Sequence, residues 1–407
     1  MTAPQTIVVI GAGQAGYWGA RTLRSQGHDG RLLLIGSEPH PPHERPPLSK
    51  QVLTGDTEPQ SAWLTTPEQL TGLGIEFLPD STAAAVDRAA RNVVLQDGRR
   101  IGYDHLLLTT GARPRRLGLP GERDAPVFYL RDIADSLAIR ARLTSGARVL
   151  VIGGGLIGLE AAAAAAARGC GVTVIEAAER LMARVVGPEI SAFIAGLHKA
   201  QGTTILTNAR PARIESAGGA WRVVCDDGRS CAGDLIVAGV GIVPNVEIAA
   251  AAGLAAENGL WVDAHCRTED PRIWAAGDVT NHWNPLLGRR LRLETWQNAQ
   301  NQAIAAARNM RGAAVPYAEI PWGWSDQLGV NLQLLGASLS FAHAVTRGDP
   351  TGGSFCVFYL EDGRITGLSA VNAPKDVAVV RRLMASGDAV DARVLADPAV
   401  PLRSLLA

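Results

Sequence analysis

Two apolar stretches, Thr6 to Ile10 and Arg148 to Ile152, read as strands, and each runs through a glycine turn into a helix-compatible stretch, Ala15 to Ser25 and Leu156 to Arg168. A second strand follows each helix, "RLLLIGSE" ending in Glu38 and "VTVIEAAE" carrying Glu176. Further on, "LLLTTGARP" (106–114) and "LIVAGVGIVP" (235–244) are again apolar runs that lead to a glycine and, three residues later, a proline. Between these pieces lie "NVVLQDGRRI" and "WRVVCDDGRSC", which alternate apolar and polar residues around Asp-Gly and predict hairpins with two-residue turns. The same succession thus occurs twice, as an internal duplication. A further strand, "IWAAGDVT" (273–280), belongs to neither repeat. Beyond about residue 320 the chain turns strand-rich, with an Asp362-Gly363 hairpin between "SFCVFYL" and "RITGLSAVN" and a helix at about Lys375 to Ser386.

The glycines of "VIGAGQAG" (9–16) and "VIGGGLIG" (151–158) have the spacing of dinucleotide loops. The first of each set, Gly11 and Gly153, makes a tight turn. The second, Gly13 and Gly155, lets the backbone approach a pyrophosphate, and the third, Gly16 and Gly158, lets helix and strand pack. The helix start then offers unpaired N–H groups to the phosphates. Glu38, 27 residues after Gly11, and Glu176, 23 after Gly153, fall where a carboxylate receives two ribose hydroxyls. Two clamps imply two dinucleotides, and the economical chemistry is hydride transfer from a nicotinamide to a flavin. The N-terminal site, elaborated by "PHERPPLSK" and by the returning "AAGDV", suits a cofactor held permanently. The simpler middle site suits one that must leave. Glu176 would repel the 2′-phosphate of NADPH and so favours NADH, although Arg180 and Arg184 lie close behind it. The expected fold is α/β: two Rossmann-like dinucleotide-binding domains plus a small C-terminal α+β domain. The expected boundaries are 1–111 with 240–319 for FAD, 112–239 for NADH, and 320–407 for the C-terminal domain.

Composition narrows the partners. Lys+Arg and Asp+Glu both number 39, so nothing marks the whole molecule for nucleic acid or a membrane surface. No stretch approaches the roughly 20 apolar residues of a membrane span, and the run Ala161 to Ala167, between Glu160 and Arg168, reads as a packed helix. Met1 to Thr6 shows no signal-peptide pattern, and a cytoplasmic location is expected. The five cysteines show neither CxxC nor CxxxxC spacing, and none precedes residue 170, so a redox-active pair near the flavin is excluded and no metal site is expected. Cys225 and Cys231 flank a hairpin turn and can face one another across it, with buried free thiols the favoured reading.

Over essentially its full length the chain resembles the FAD- and NADH-dependent ferredoxin reductases of bacterial oxygenase systems, particularly the reductase components of aromatic-ring dioxygenases. The resemblance is carried by "VIGAGQAG", "ERPPLSK" (44–50), "TTGARP", "VIGGGLIGLE", "GVGIVPN", "WAAGDV", "ETWQNAQNQA" (294–303) and "WSDQ" (324–327), in that order. For FAD it implicates Ala15, Thr110 and Gly111 beside the glycine loop, Glu38 on the ribose, Arg45, Lys50 and Arg131, Asp278 on the ribityl chain, the Trp296 backbone, and Ala84 on the adenine through its backbone. For NADH it implicates Gly153, Gly155, Leu156, Ile157, Gly158, Glu160, Glu176, Arg184 and Gly239, with Glu294 and Trp324 closer to the nicotinamide. Lys50 and Glu160 are the candidate catalytic pair: a cation beside flavin N5 favours the anionic reduced flavin, and Glu160 can hold that lysine. Trp322 and Trp324 either cover the flavin, bridge to the acceptor or pack the core. His40 and His43 are expected in a polar loop, where the family usually has Tyr in place of His43.

The implied reaction runs from NADH to FAD to a separate [2Fe–2S] ferredoxin. Arg289, Arg290 and Arg292 are the candidate landing site for that acidic partner. Two alternatives stay open: a reductase serving a P450-linked ferredoxin or a rubredoxin, and an NADH-sensing flavoprotein resembling apoptosis-inducing factor.

Overall fold

The apolar runs that open the two repeats form the middle strands of two parallel sheets. Ile7–Ile10 lies between Leu32–Ile35 and His105–Leu108, with Glu76–Leu78 and Ile273–Ala275 outside them. Arg148–Ile152 lies between Gly171–Ile175 and Leu235–Ala238, with Thr204–Leu206 and Val127–Tyr129 outside. These strands carry apolar side chains on both faces because both faces are covered. In each sheet the chain leaves the middle strand first to one side and later to the other, which opens a crevice at the strand's carboxyl end. This computed structural model describes residues 5–336 and 341–406; residues 1–4, on which part of the Met1 to Thr6 reading fell, lie outside the described residues.

The chain divides into two units. The first runs to Glu44 and takes in Gln60–Arg113 and Val243–Pro321; the second takes in Arg45–Pro59, Pro114–Ile242 and the chain from Trp322 onward. In the first, helices Gln14–Ser25 and Trp296–Met310 pack on one sheet face through Ala20, Ala303, Ala306 and Ala307. The opposite face is closed by the antiparallel strands Ala83–Asp87, Asn92–Leu95 and Arg100–Gly102, through Val86, Val93, Leu95 and Ile101.

In the second unit, helix Leu156–Ala167 is apolar apart from Glu160 because most of it, Gly158 to Ala165, is buried. Its alanines share one core with Val149 and Val151 of the parallel sheet and with Leu332, Phe355, Val357 and Val371 of the C-terminal sheet. That sheet is antiparallel, in the order Trp322–Gln327, Val330–Leu335, Arg364–Val371, Ser354–Glu361, His343–Asp349, and helix Pro374–Ser386 packs on it. Arg45–Pro59 is fastened to the same unit by Leu48 and Val52 against Ile133, and by the Ser136 hydroxyl donating to the Leu48 carbonyl at 2.8 Å.

Two turns differ from the sequence expectation. Leu95 N–H bonds to the Arg99 carbonyl and Cys225 N–H to that of Arg229, at 2.9 and 2.8 Å, so each hairpin loop holds three residues and not two. The third loop residue, Gly98 or Gly228, has φ +87°, and the preceding Asp97 or Asp227 carboxylate accepts from the arginine N–H two residues on. That side-chain bond stabilises the wider loop, with glycine at its left-handed position. Asp362-Gly363, with φ +49° and +72°, is a two-residue turn between the paired Glu361 and Arg364. The three-residue loop also sets Cys231 opposite Val223, so it does not face Cys225 directly, and all five cysteines are free.

His282, in the strand Thr280–Asn284, is 1% exposed, and burial depresses its pKa from 6.5 to about 4. Between those two pH values the unfolded chain takes up a proton that the folded chain refuses. Folding stability should therefore fall on acidification from pH 6.5 towards about 4, by up to about 1.4 kcal/mol per pH unit from this residue. Urea denaturation across that range should show a shallower pH slope for His282→Phe; an identical slope would mean that the native protein protonates His282 freely.

Candidate functional site

In the first unit the loop after Ile7–Ile10 is shaped by what its glycines touch. Gly11 has φ +105°, and a Cβ there would lie 2.2 Å from the Thr109 carbonyl oxygen. A Cβ on Gly16 would lie 1.8 Å from the Gly11 carbonyl oxygen, whereas one on Gly13 would meet nothing within 4 Å. Packing thus forbids a side chain at the first and third glycines, while the second faces open space of the kind a pyrophosphate needs. Helix Gln14–Ser25 begins there with no side-chain cap and no acidic residue in its first turn, leaving its N–H groups for an anion.

Around this cradle the Thr109 hydroxyl lies 2.9 Å from both the Ile10 and Gly11 carbonyls, and Thr110 exchanges hydrogen bonds with Asn245 at 2.8 and 2.9 Å. Gly111 accepts from the Asn245 N–H. Ala15 sits under Gly277, whose added Cβ would be 3.1 Å from that of Ala15, and Asp278 follows in the same turn. The turn is held by Gln302, fully buried, whose amide oxygen accepts from Gly277 N–H at 2.8 Å and the Thr280 hydroxyl at 2.9 Å. Gln302 was not among the sequence candidates, although it lies inside the quoted "ETWQNAQNQA" (294–303), one helical turn after the likewise buried Asn298.

Glu38 lies 3.4 Å from His43, which is 3% exposed and so packed inside, contrary to the polar loop expected. Trp296, capped by Thr295, donates its indole N–H to Glu44 at 3.0 Å. Ala84 is the residue inserted at a β-bulge between Ala83 and Ala85, and such a residue keeps its backbone out of the ladder. Glu294 pairs with Arg292, which also bonds Asn258. Arg290 donates to the carbonyls of Val262 and Asn281 and stacks 4.4 Å from the Trp261 ring, so only Arg289 of the three arginines projects as an exposed residue.

The second unit repeats the cradle. A Cβ on Gly153 would lie 2.5 Å from the Gly239 carbonyl oxygen and one on Gly158 2.0 Å from that of Gly153, while Gly155 again faces open space. Gly239 presses on Gly158, so packing requires it to be small. Helix Leu156–Ala167 starts without a side-chain cap, with Leu156 half-buried and Ile157 47% exposed beside the opening. Glu176 is aimed back at the loop: its oxygens accept from Gly154 N–H at 2.6 Å and Ala178 N–H at 2.7 Å. At Gly154, another residue not singled out from sequence, a Cβ would lie 2.5 Å from the end of the Leu181 side chain, which would have to shift. Arg180 is engaged by Val186, Ser191 and Ala183, which leaves Arg184 as the exposed cation near Glu176 in sequence.

Also within this unit, Arg45 donates to the Arg131 carbonyl at 2.6 Å. Lys50 Nζ donates to Glu160 Oε2 at 2.9 Å, and the pair is nearly sealed, with side chains 12% and 2% exposed. Ser49 donates to the same oxygen, and Ser325 to Oε1 at 2.6 Å. Trp324 stacks on Trp322, ring centres 5.1 Å apart, on the opposite face of its strand from Ser325. Among the described residues there is no cluster of metal-binding side chains, and no helix is long and apolar enough to cross a membrane. Burial raises the pKa of every cysteine, so none is poised as a reactive thiolate.

The open space at Gly13 gives a direct test. Gly13→Ala should carry less flavin per polypeptide yet, compared as flavin-free protein, keep an unchanged thermal midpoint, whereas Gly16→Ala should lower the flavin-free midpoint itself. Equal destabilisation of both would show that Gly13 is needed for packing and not for a ligand.

Residues 5–303 match the family described as pyridine nucleotide-disulphide oxidoreductase, and residues 322–406 match the reductase C-terminal family. The chain is 44% identical over 400 residues to the anthranilate 1,2-dioxygenase system ferredoxin–NAD(+) reductase component of Burkholderia cepacia, covering 98% of each. It is 36% identical to putidaredoxin reductase CamA of Pseudomonas putida, covering 100% of this chain and 98% of that one. Among solved structures, the ferredoxin reductase for the CYP199A2 system from Rhodopseudomonas palustris superposes with a TM-score of 0.96 at 38% identity, over 99% of this chain and all of that one. The twofold glycine cradle with its carboxylates therefore has a family: this chain belongs to the pyridine nucleotide-disulphide oxidoreductases, as an FAD-dependent oxidoreductase that works with NAD(H).

Proposed function

We propose that this protein is a ferredoxin–NAD(+) reductase that takes hydride from NADH onto FAD and passes single electrons to a [2Fe–2S] ferredoxin supplying a ring-hydroxylating dioxygenase. The observation that carries this reading is the end-to-end match to a dioxygenase reductase component at 44% identity, against 36% for putidaredoxin reductase. The absence of a poised thiol supports it, because electrons then have no cysteine pair to pass through. A ferredoxin of a P450 system is the second reading, favoured by the structural likeness to a reductase of that kind.

When bound, the nicotinamide and the flavin supply the hydride and electron chemistry. The residues of this chain hold and orient. Gly11, Gly13, Ala15, Gly16, Glu38, Ala84, Thr110, Gly111, Asp278 and Trp296, with Arg45, Lys50 and Arg131, are assigned to FAD. Gly153, Gly155, Leu156, Ile157, Gly158, Glu160, Glu176, Arg184, Gly239, Glu294 and Trp324 are assigned to NADH. Glu176 sets the nucleotide preference: its carboxylate is locked by two backbone N–H groups and would repel a 2′-phosphate. Lys50, pinned by Glu160, serves the flavin as a fixed positive charge. The ferredoxin docks near Arg289, since Arg290 and Arg292 already have partners within the chain.

Stopped-flow mixing should bleach the bound flavin quickly with NADH and roughly tenfold or more slowly with NADPH. The reduced protein should then reduce a [2Fe–2S] ferredoxin promptly, and Arg289→Glu should lower that rate and weaken its salt dependence. A reduced flavin that persists beside the ferredoxin would point to an NADH sensor.

A further inference from the structure

Glu160 is the end of a longer chain of donors. Its carboxylate can only accept, so the Ser325 hydroxyl, 2.6 Å from Oε1, must give its proton there. The lone pairs of Ser325 then receive the Gln327 amide N–H at 3.1 Å, which turns the Gln327 carbonyl outward to accept from His198 Nε2 at 2.7 Å. His198 is thereby held with its proton on Nε2, and among the described residues its Nδ1 finds no partner. All members are buried: Ser325 and His198 fully, Gln327 to 4% and Glu160 to 3% exposure. The chain of bonds joins the segment bearing Lys50, the helix Leu156–Ala167, the first C-terminal strand Trp322–Gln327 and the helix Pro188–Ala200.

We propose that Ser325, backed by Gln327 and His198, is a positioning residue for Lys50: it occupies one oxygen of Glu160 so that the other is presented to the lysine in a single orientation. The C-terminal strand thereby sets the place of the cation. The functional side of this inference rests on the assignment of Lys50 to the flavin; the positional side does not. A buried carboxylate that loses one of its donors swings to recover a partner, and a side chain fixed by it moves with it. Strand alternation explains why the polar pair lies inside. Trp322, Trp324 and Asp326 share one face, and Gly323, Ser325 and Gln327 the face towards Glu160.

The chain has only three lysines, Lys50, Lys199 and Lys375, and the last two are exposed. Brief acylation of the flavin-loaded protein with an amine-reactive acetylating agent, read by mass spectrometry, therefore reports on Lys50 with two internal standards. Ser325→Ala should raise Lys50 acylation about tenfold relative to Lys199 and Lys375, and Ser325→Thr, which keeps the hydroxyl, should restore protection. Gln327→Met should give a smaller rise and carries the test if Ser325→Ala does not fold. In stopped flow, Ser325→Ala should slow flavin bleaching by NADH about tenfold at saturation. In a Lys50→Met background it should add no further loss. Unchanged Lys50 acylation in Ser325→Ala and Gln327→Met would overturn the proposal. Raised acylation with normal bleaching in Lys50→Met would instead overturn the assignment of Lys50 to the flavin and leave the positional coupling standing.

Discussion

Backbone meets backbone at one corresponding point in each unit, Gly16 over Gly11 and Gly158 over Gly153, and much else follows from that contact. With no Cβ between them, the helix start comes down directly on the strand end and its free N–H groups gather at the mouth of the crevice. A methyl group at either third glycine would push the helix away and spread those donors. The neighbouring features serve the same closeness. Gly239 and Gly277 clear the adjoining strand and turn, and the alanines of Leu156–Ala167 allow a sheet to approach that helix from each side.

Against that tightly packed background the Glu160 carboxylate is the costly element. It lies in a helix otherwise buried in aliphatic side chains, and a charge there is tolerated only because three donors, Ser49, Lys50 and Ser325, surround it. Such a site contributes little net stability, and an apolar replacement of the whole cluster would pack at least as well. Its presence in the core is better explained by what it holds in place. The same reasoning separates Arg290 from Arg289. The first spends its donors on carbonyls and an indole face, as a structural brace, while the second keeps its charge in water, where it acts at a distance.

The doubled α/β architecture was legible in the sequence because its signals are local. A glycine at a strand end, an apolar run and an acidic residue after the second strand each report on a few neighbouring residues. The hairpin widths were not legible, since Asp97 and Asp227 close their loops by a side-chain bond that competes with the two-residue turn. Ser325 and Gln327 stood inside the quoted "WSDQ" motif without a role for a different reason: Ser325 meets Glu160 across 165 residues of sequence, and no periodicity spans that gap. The tryptophans beside them drew attention precisely where alternation turned the working side chains the other way. Lys50 and Glu160, 110 residues apart, were paired only through the family resemblance.

The state of the cysteines bears on how long such a protein lasts. Oxidation of a thiol to sulfenic acid and beyond begins from an accessible thiolate, and here three thiols are buried, two are half-buried, and burial raises the pKa of all five. Reduced flavins can react with oxygen, and the peroxide so formed oxidises thiolates in preference to thiols. With no thiol fully exposed and every thiol pKa raised, the chain offers peroxide few cysteine thiolates to attack.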